Sequence, residues 1–249
     1  PSLLEDDKDM LEDLTAAAEH AIKFSKTGYF VVEEFIEQEG YSSDTDCFSI
    51  DGELVFASFS NQHFDDKAAN PYTPSAYSWP STMPDGSQAE LRSELQRLIT
   101  LLNLKTSIYN IETRLGTDGK AYIMEVSPRG GGNRLAEVLY YACGTDLITN
   151  AVRSAVGDEV IGLTGDPVYN GWWAEIILHA DNDGVYEDLW VDERITSFVV
   201  ERDLWVCPGD SVRAFSGANE AIGTLVLRFD TTTQLEEVMN NVPRYVRVK

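Results

Sequence analysis

Residues 107–134 carry the side chains whose types and spacing could do chemistry. Glu112 and Glu125 sit on two strand-like runs that meet across the turn signal Asp118-Gly119. If those runs pair antiparallel, both carboxylates can point to one face and border one small space. Ser127-Pro128-Arg129-Gly130-Gly131-Gly132-Asn133 follows at once, adding a fixed cation and a glycine run that permits close backbone approach. Paired carboxylates suit a hard divalent ion and a guanidinium suits phosphate oxygens, so this spacing points to a metal and phosphate site.

The elements that must position these groups are legible as a pattern of alternating signals. Leu11, Leu14, Ala18, Ala21 and Ile22 recur at helical spacing behind an acidic start, which predicts a capped helix over 7–25 stopped by Lys26-Thr27-Gly28. Tyr29–Ile36 is a β-rich apolar run, and 44–50 with 54–60 flank the hairpin turn Asp51-Gly52. From 61 to 86, prolines at 71, 74, 80 and 84 and aromatics at 64, 72, 77 and 79 predict a long loop facing substrate, with His63, Tyr77 and Trp79 as candidate contacts. Leu91, Leu95, Leu98, Ile99 and Leu102 stripe a helix over 88–103. A short helix over 135–143 ends at Gly144, and Asp146 caps another running to Gly157.

Beyond about residue 166 the character changes to short strand-like runs, 172–179, 195–201, 211–216 and 221–229, then a helix near 233–239 and a strand over 244–248. The organisation this predicts is α+β, with residues 1–165 as one body and 166–249 as a small β-rich C-terminal domain.

Composition bounds the partners. The 249 residues are 43% hydrophobic, enough for a sizeable core in one large or two modest domains. With 42 acidic against 19 basic residues the net charge is -23, which opposes binding to nucleic acid or to an anionic membrane surface. A polyphosphate ligand would need local rescue by metal and a few placed cations. Cys47, Cys143 and Cys207 are far apart and in no metal-ligand spacing, so they read as reduced thiols of a cytoplasmic protein. No apolar run is long enough for a membrane span.

Taken in order, Val32-Glu33-Glu34-Phe35-Ile36-Glu37, the Asp51-Gly52 hairpin, Trp79-Pro80-Ser81, Glu112 and Glu125-Val126-Ser127-Pro128-Arg129-Gly130-Gly131 resemble the ATP-grasp superfamily of carboxylate-amine ligases, which includes biotin carboxylase-like and amino-acid ligases. Ala142-Cys143-Gly144-Thr145-Asp146-Leu147 matches the usual continuation. The resemblance implies an antiparallel sheet flanked by helices, with 1–36 as the end of a first subdomain and hinge strand and 37–165 as the second subdomain. It implies ATP with Mg2+, or Mn2+, as cofactors, and small-molecule carboxylate and amine substrates joined through an acyl phosphate. Glu33, Glu34 and Ile36 become adenine contacts, with Glu39 on the ribose because Gly40 stands where the family has a glutamate. Glu112 and Glu125 become metal ligands, helped by Ser127, in the place of an asparagine, and by Asn133. Arg129 becomes the catalytic candidate that neutralises the transferring phosphoryl group.

The family's two nucleotide-binding lysines, its glycine-rich phosphate loop and a Rossmann-like domain would lie before residue 1. The chain therefore reads as the C-terminal portion of a larger ligase, inactive by itself, with that N-terminal part as its partner and homo-oligomerisation left open. Ser127 and the absent lysines also suit an alternative, a degenerate nucleotide-binding module without turnover; a third reading is an acidic scaffold that binds no nucleotide.

Overall fold

The computed structural model describes residues 10–163 and 165–249. It divides into a unit that ends at Glu37 and a second unit, Gln38–Lys249. In the first, α1 (Met10–Phe24) fills the described part of the helix expected over 7–25, with Lys23 in its last turn, where a cation complements the carbonyl end. The acidic start and its cap lie outside the described residues. The strand expected over Tyr29–Ile36 does not form; residues 29–37 are irregular, and Tyr29, Val31 and Val32 are exposed. Aromatic and β-branched residues favour a strand only where a neighbouring strand completes the ladder. On this stretch, pairing among the described residues begins at the bridge between Gln38 and Gly116.

The second unit is built on two antiparallel sheets. β1 (Ser43–Ile50) and β2 (Glu53–Ala57) make the expected hairpin, and Asp51 and Gly52 take φ of 51° and 90°, the left-handed pair that a tight hairpin turn requires. The stretch expected as a long loop instead folds back on itself as β3 (Asn61–Phe64) and β4 (Pro74–Trp79). The prolines mask this from sequence, yet Pro74 sits at the first position of β4, where its missing N–H costs least. Trp79 is fully buried and Tyr77 nearly so, which places both in the core and overturns the reading of this segment as a substrate-facing loop.

After α2 (Asp85–Leu101) come β5 (Ser107–Leu115), β6 (Ala121–Ser127), α3 (Leu135–Cys143) and α4 (Leu147–Val156). Asp146 caps α4 by accepting from Thr149 N–H at 2.8 Å, and Gly144 and Gly157 close the two helices, as their spacing predicts. The remainder holds β7 (Trp172–Leu178), β8 (Gly184–Val185), β9 (Leu189–Val191), β10 (Val199–Leu204), β11 (Ser211–Val212), β12 (Gly223–Phe229), α5 (Thr232–Met239), α6 (Val242–Tyr245) and β13 (Val246–Val248). Residues 195–198, expected as strand, belong to a 3-10 helix that the Asp192 side chain caps, and the 211–216 run shortens to β11.

The first sheet runs β2-β1-β5-β6, with α2 packed on one face through Leu91 and Leu95 against Cys47, Ala57, Tyr109 and Ile111. The second runs β10-β12-β7-β4-β3. One of its faces meets α5 through Ala174, Ile176, Leu225, Leu227 and Leu235. Its other face shares a core with α3, α4 and the first sheet through Trp79, Trp173, Ile177, Phe48, Leu135, Leu139 and Leu147. The division expected at residue 166 cuts across this second sheet, because β4, before it, pairs with β7, after it. Among the described residues no helix is long and apolar enough to cross a membrane.

Candidate functional site

Strand register decides where the carboxylates go. On β5 and β6, Glu112 is the direct partner of Glu125 and Asn110 that of Ser127. Across the other edge of β5, Glu112 faces Asp44 of β1, and Asn110 faces Asp46. Directly opposed residues project to the same side of a sheet, so Asp44, Glu112 and Glu125 form one row across three strands and Asp46, Asn110 and Ser127 the next. Tyr109, Ile111 and Val126, at the alternate positions, face α2. The β5–β6 turn thus brings the two expected glutamates together, with one extra residue in β6 next to the pair.

Hydrogen bonds hold the two rows in place. Asn110 Nδ2 donates to Asp44 Oδ1 at 2.8 Å, to Thr45 O at 3.1 Å and to Asp46 Oδ1 at 3.4 Å. Tyr77 on β4 donates its hydroxyl to Asp44 Oδ2 at 3.1 Å and also meets the Asn133 side chain. Ser127 Oγ donates to Glu125 Oε1 at 2.8 Å. Above the rows passes the run 128–134, in which Gly131 N–H donates to Asp46 Oδ1 at 2.8 Å and Arg129 Nη1 to Gly130 O at 2.8 Å. A Cβ on Gly131 would lie 2.6 Å from Leu135 Cδ1 and 2.8 Å from Asn110 Nδ2, so a side chain here would have to displace both. Asn133 and Arg134 both take left-handed φ, of 50° and 66°, before α3 begins.

The electrostatics follow from burying several carboxyls together. Burial pushes Asp44 up, opposed by its bonds to Asn110 and Tyr77 and by Arg129 nearby. Burial and then the Asp44 charge raise Glu112. Asp46 is pushed up to about 7 by burial, against the Gly131 and Asn110 bonds. Glu175, the β7 partner of Tyr77, is fully buried with neither oxygen hydrogen-bonded among the described residues, and desolvation lifts it well above the ordinary carboxylate range. Glu112, Glu125 and Ser127 are hard oxygen donors of the kind a divalent ion of the Mg2+ type takes.

The expected residues divide by location. Glu112, Glu125, Ser127, Arg129 and Asn133 lie on this face or the run above it, with Glu125 and Arg129 exposed and Glu112 and Asn133 half-buried. Glu39 lies in the same unit, its N–H donating to Leu115 O at 2.8 Å and its side chain exposed. Glu33 and Glu34, exposed, and Ile36, half-buried, stand on the irregular segment of the first unit. His63, a weighed substrate contact, is a half-buried β3 residue bonded through Nε2 to Ser78 Oγ at 2.9 Å, and desolvation holds its pKa down to about 4. Sequence reading passed over Asp44, Asp46, Asn110 and Glu175. The signal for the first two was present as acidic residues two apart on a predicted strand.

A model of the ATP-grasp domain matches residues 5–137, a span that contains every strand of the first sheet. The chain belongs to the ATP-grasp family. Among solved structures, this ATP-grasp chain is similar to an L-amino acid ligase from Bacillus licheniformis, at 16% identity and a TM-score of 0.79 over 98% of this chain and 61% of that one. It is also similar to phosphoribosylglycinamide synthetase from Anaerococcus prevotii, at 18% identity and a TM-score of 0.71 over 96% and 60%. Biotin carboxylase from Campylobacter jejuni follows at 14% identity and a TM-score of 0.72 over 98% and 54%. Identities this low speak to a shared fold, and the ATP-grasp chain spans about three fifths of the first two of these proteins. No curated protein matches it.

Proposed function

We propose that this ATP-grasp chain carries the phosphoryl-transfer site of an ATP-dependent ligase joining a carboxylate to an amine-type nucleophile. The observation that carries the reading is the direct opposition of Glu112 and Glu125 on a hairpin that leads straight into Arg129 and three glycines. Mg2+, or Mn2+, held by Glu112 and Glu125 with Ser127 and Asn133 at its margin would supply charge neutralisation for the terminal phosphates of ATP. In the reaction, a substrate carboxylate oxygen bonds to the γ-phosphorus as the bond to the β-phosphate oxygen breaks, giving an acyl phosphate and ADP. The amine nitrogen then bonds to the acyl carbon, losing a proton, as phosphate leaves.

This chain's residues act mainly by placement. Arg129 can present two N–H groups to two oxygens of the moving phosphoryl group, and the glycine run lets backbone N–H groups approach the same anion. Glu33, Glu34 and Ile36 as adenine contacts and Glu39 as a ribose contact belong to this reading on the strength of the family resemblance, as does a cytoplasmic location.

The test is ADP release measured in the full-length protein with Mg2+ and a panel of carboxylates and amines. Release that needs both the metal and a carboxylate, and that falls about a hundredfold or more in Arg129→Ala, supports the ligase. Binding of MgADP without turnover under every pairing would favour the degenerate nucleotide-binding module, which Ser127, already engaged with Glu125 through its hydroxyl, suits.

A further inference from the structure

We infer that Asp46 is a positioning residue for Arg129, acting through the peptide unit that joins Gly130 to Gly131. The inference rests on the reading of Arg129 as the phosphoryl-facing cation.

One planar group links the two charged residues. The N–H of Gly131 donates to Asp46 Oδ1 at 2.8 Å, and the carbonyl of Gly130, the other end of the same peptide, accepts from Arg129 Nη1 at 2.8 Å. In a trans peptide the N–H and C=O point in opposite directions, so fixing one fixes the other. With the N–H pinned down onto β1, the carbonyl is turned outward to the guanidinium. A carboxylate behind the amide also polarises the peptide and strengthens the bond at its far end. Rotation of the peptide would aim a carbonyl at the carboxylate and take away the acceptor that Arg129 uses.

The surroundings show that this contact is closely built. Asp46 is fully buried, and its Oδ2 has no hydrogen-bond partner among the described residues. A buried carboxylate with one oxygen unsatisfied is costly. Asn110 Nδ2, 3.4 Å from the same Oδ1, supports the acceptor that the peptide uses. The missing side chain of Gly131 allows the backbone to come this close, since a Cβ there would lie 3.1 Å from Asp46 Oδ1.

The experiment compares wild type, Asp46→Ala, Asp46→Asn, Arg129→Ala and the double alanine variant in the full-length protein. In 15N NMR, exchange of the Arg129 guanidinium protons with solvent is about tenfold slower in wild type than in free arginine, reaches the free value in Asp46→Ala, and stays slow in Asp46→Asn, which keeps the acceptor oxygen. In carboxylate-dependent ADP release, Asp46→Ala lowers kcat about ten- to a hundredfold with KM for ATP within about threefold, Asp46→Asn recovers most of that loss, and adding Asp46→Ala to Arg129→Ala costs nothing further. A merely structural Asp46 gives additive losses in the cycle and unchanged guanidinium exchange, and either result overturns the inference. So does an Asp46→Asn variant as impaired as Asp46→Ala. Failure of the ligase reading shows separately, as wild type that releases no ADP, and guanidinium exchange then decides the role of Asp46 without turnover.

Discussion

Tyr77 and Asp44 join the two sheets, the β4 hydroxyl donating to Oδ2 of the β1 carboxylate at 3.1 Å. Asp44 opens the row that continues through Glu112 to Glu125, so this one bond ties the acidic face of the first sheet to β4 of the second. Asn133 meets the same hydroxyl, which brings the end of the glycine run into the tie. The face is thereby held from three directions before any ligand arrives.

Tyr77→Phe removes this hydroxyl and leaves Asp44 with Asn110 as its described side-chain partner. The expected loss is about 1–2 kcal/mol of unfolding free energy, since a hydrogen bond to a charged group disappears without a cavity opening. Urea denaturation at neutral pH measures it. An unchanged midpoint would mean that the two sheets are held together by the shared apolar core alone.

Glu112→Gln and Glu125→Gln separate binding from folding. Each is expected to weaken Mg2+-dependent nucleotide binding by tenfold or more in calorimetry. In metal-free buffer Glu112→Gln should gain about 0.5–1 kcal/mol, because burial first, and then the neighbouring Asp44 and Glu125 charges, act against the Glu112 carboxylate. Loss of stability together with loss of binding would instead assign Glu112 a structural role.

Much of this site could be read along the chain because its parts are local. Asp118-Gly119 closes a short hairpin that brings the two glutamates near each other, although the turn's own register would oppose Glu112 to Met124 and the extra residue in β6 is what makes Glu125 its partner; the caps at Gly144, Asp146 and Gly157 are signals of one or two residues. What escaped depends on pairing at long separation. Asp44 joins the row only because β1 lies beside β5, some 60 residues on, and Tyr77 reaches it only because β4 joins a sheet with β7. Periodicity cannot supply such pairings, and Pro71 and Pro74 hid the strands that make one of them. Tyr29–Ile36 erred the other way: its composition is that of a strand, but composition does not provide a neighbour.

Trp79→Ala distinguishes a core residue from one on a substrate-facing loop. Its ring is fully buried in the core shared by both sheets, so truncation is expected to cost about 3–5 kcal/mol through lost burial and the cavity left behind. Tyr72, on the same stretch but exposed, should cost less than about 0.5 kcal/mol when replaced by alanine. Thermal melts of the two variants check this; equal, small shifts would restore the loop reading.

Glu175 sets the sign of a pH dependence. Its carboxyl is fully buried without a described hydrogen-bond partner, and its folded-state pKa is raised well above 4.5. Below the unfolded value both states hold the proton and the residue adds no slope. Above it, the unfolded chain releases the proton while the folded chain retains it, so stability falls by up to about 1.4 kcal/mol per pH unit until the folded carboxyl itself ionises. Glu175→Gln keeps the shape and removes the titration. Relative to wild type, the variant should therefore gain stability as pH rises above about 5 until the folded Glu175 carboxyl ionises, with the two proteins closest in acid. Asp44, Asp46 and Glu112 are raised in the same sense, so the variant keeps a shallower slope of the same sign. Denaturant melts across that range measure the difference between the two proteins. Parallel curves for wild type and Glu175→Gln would show that the carboxyl is already ionised in the folded state, and would require a cation or donor beside it.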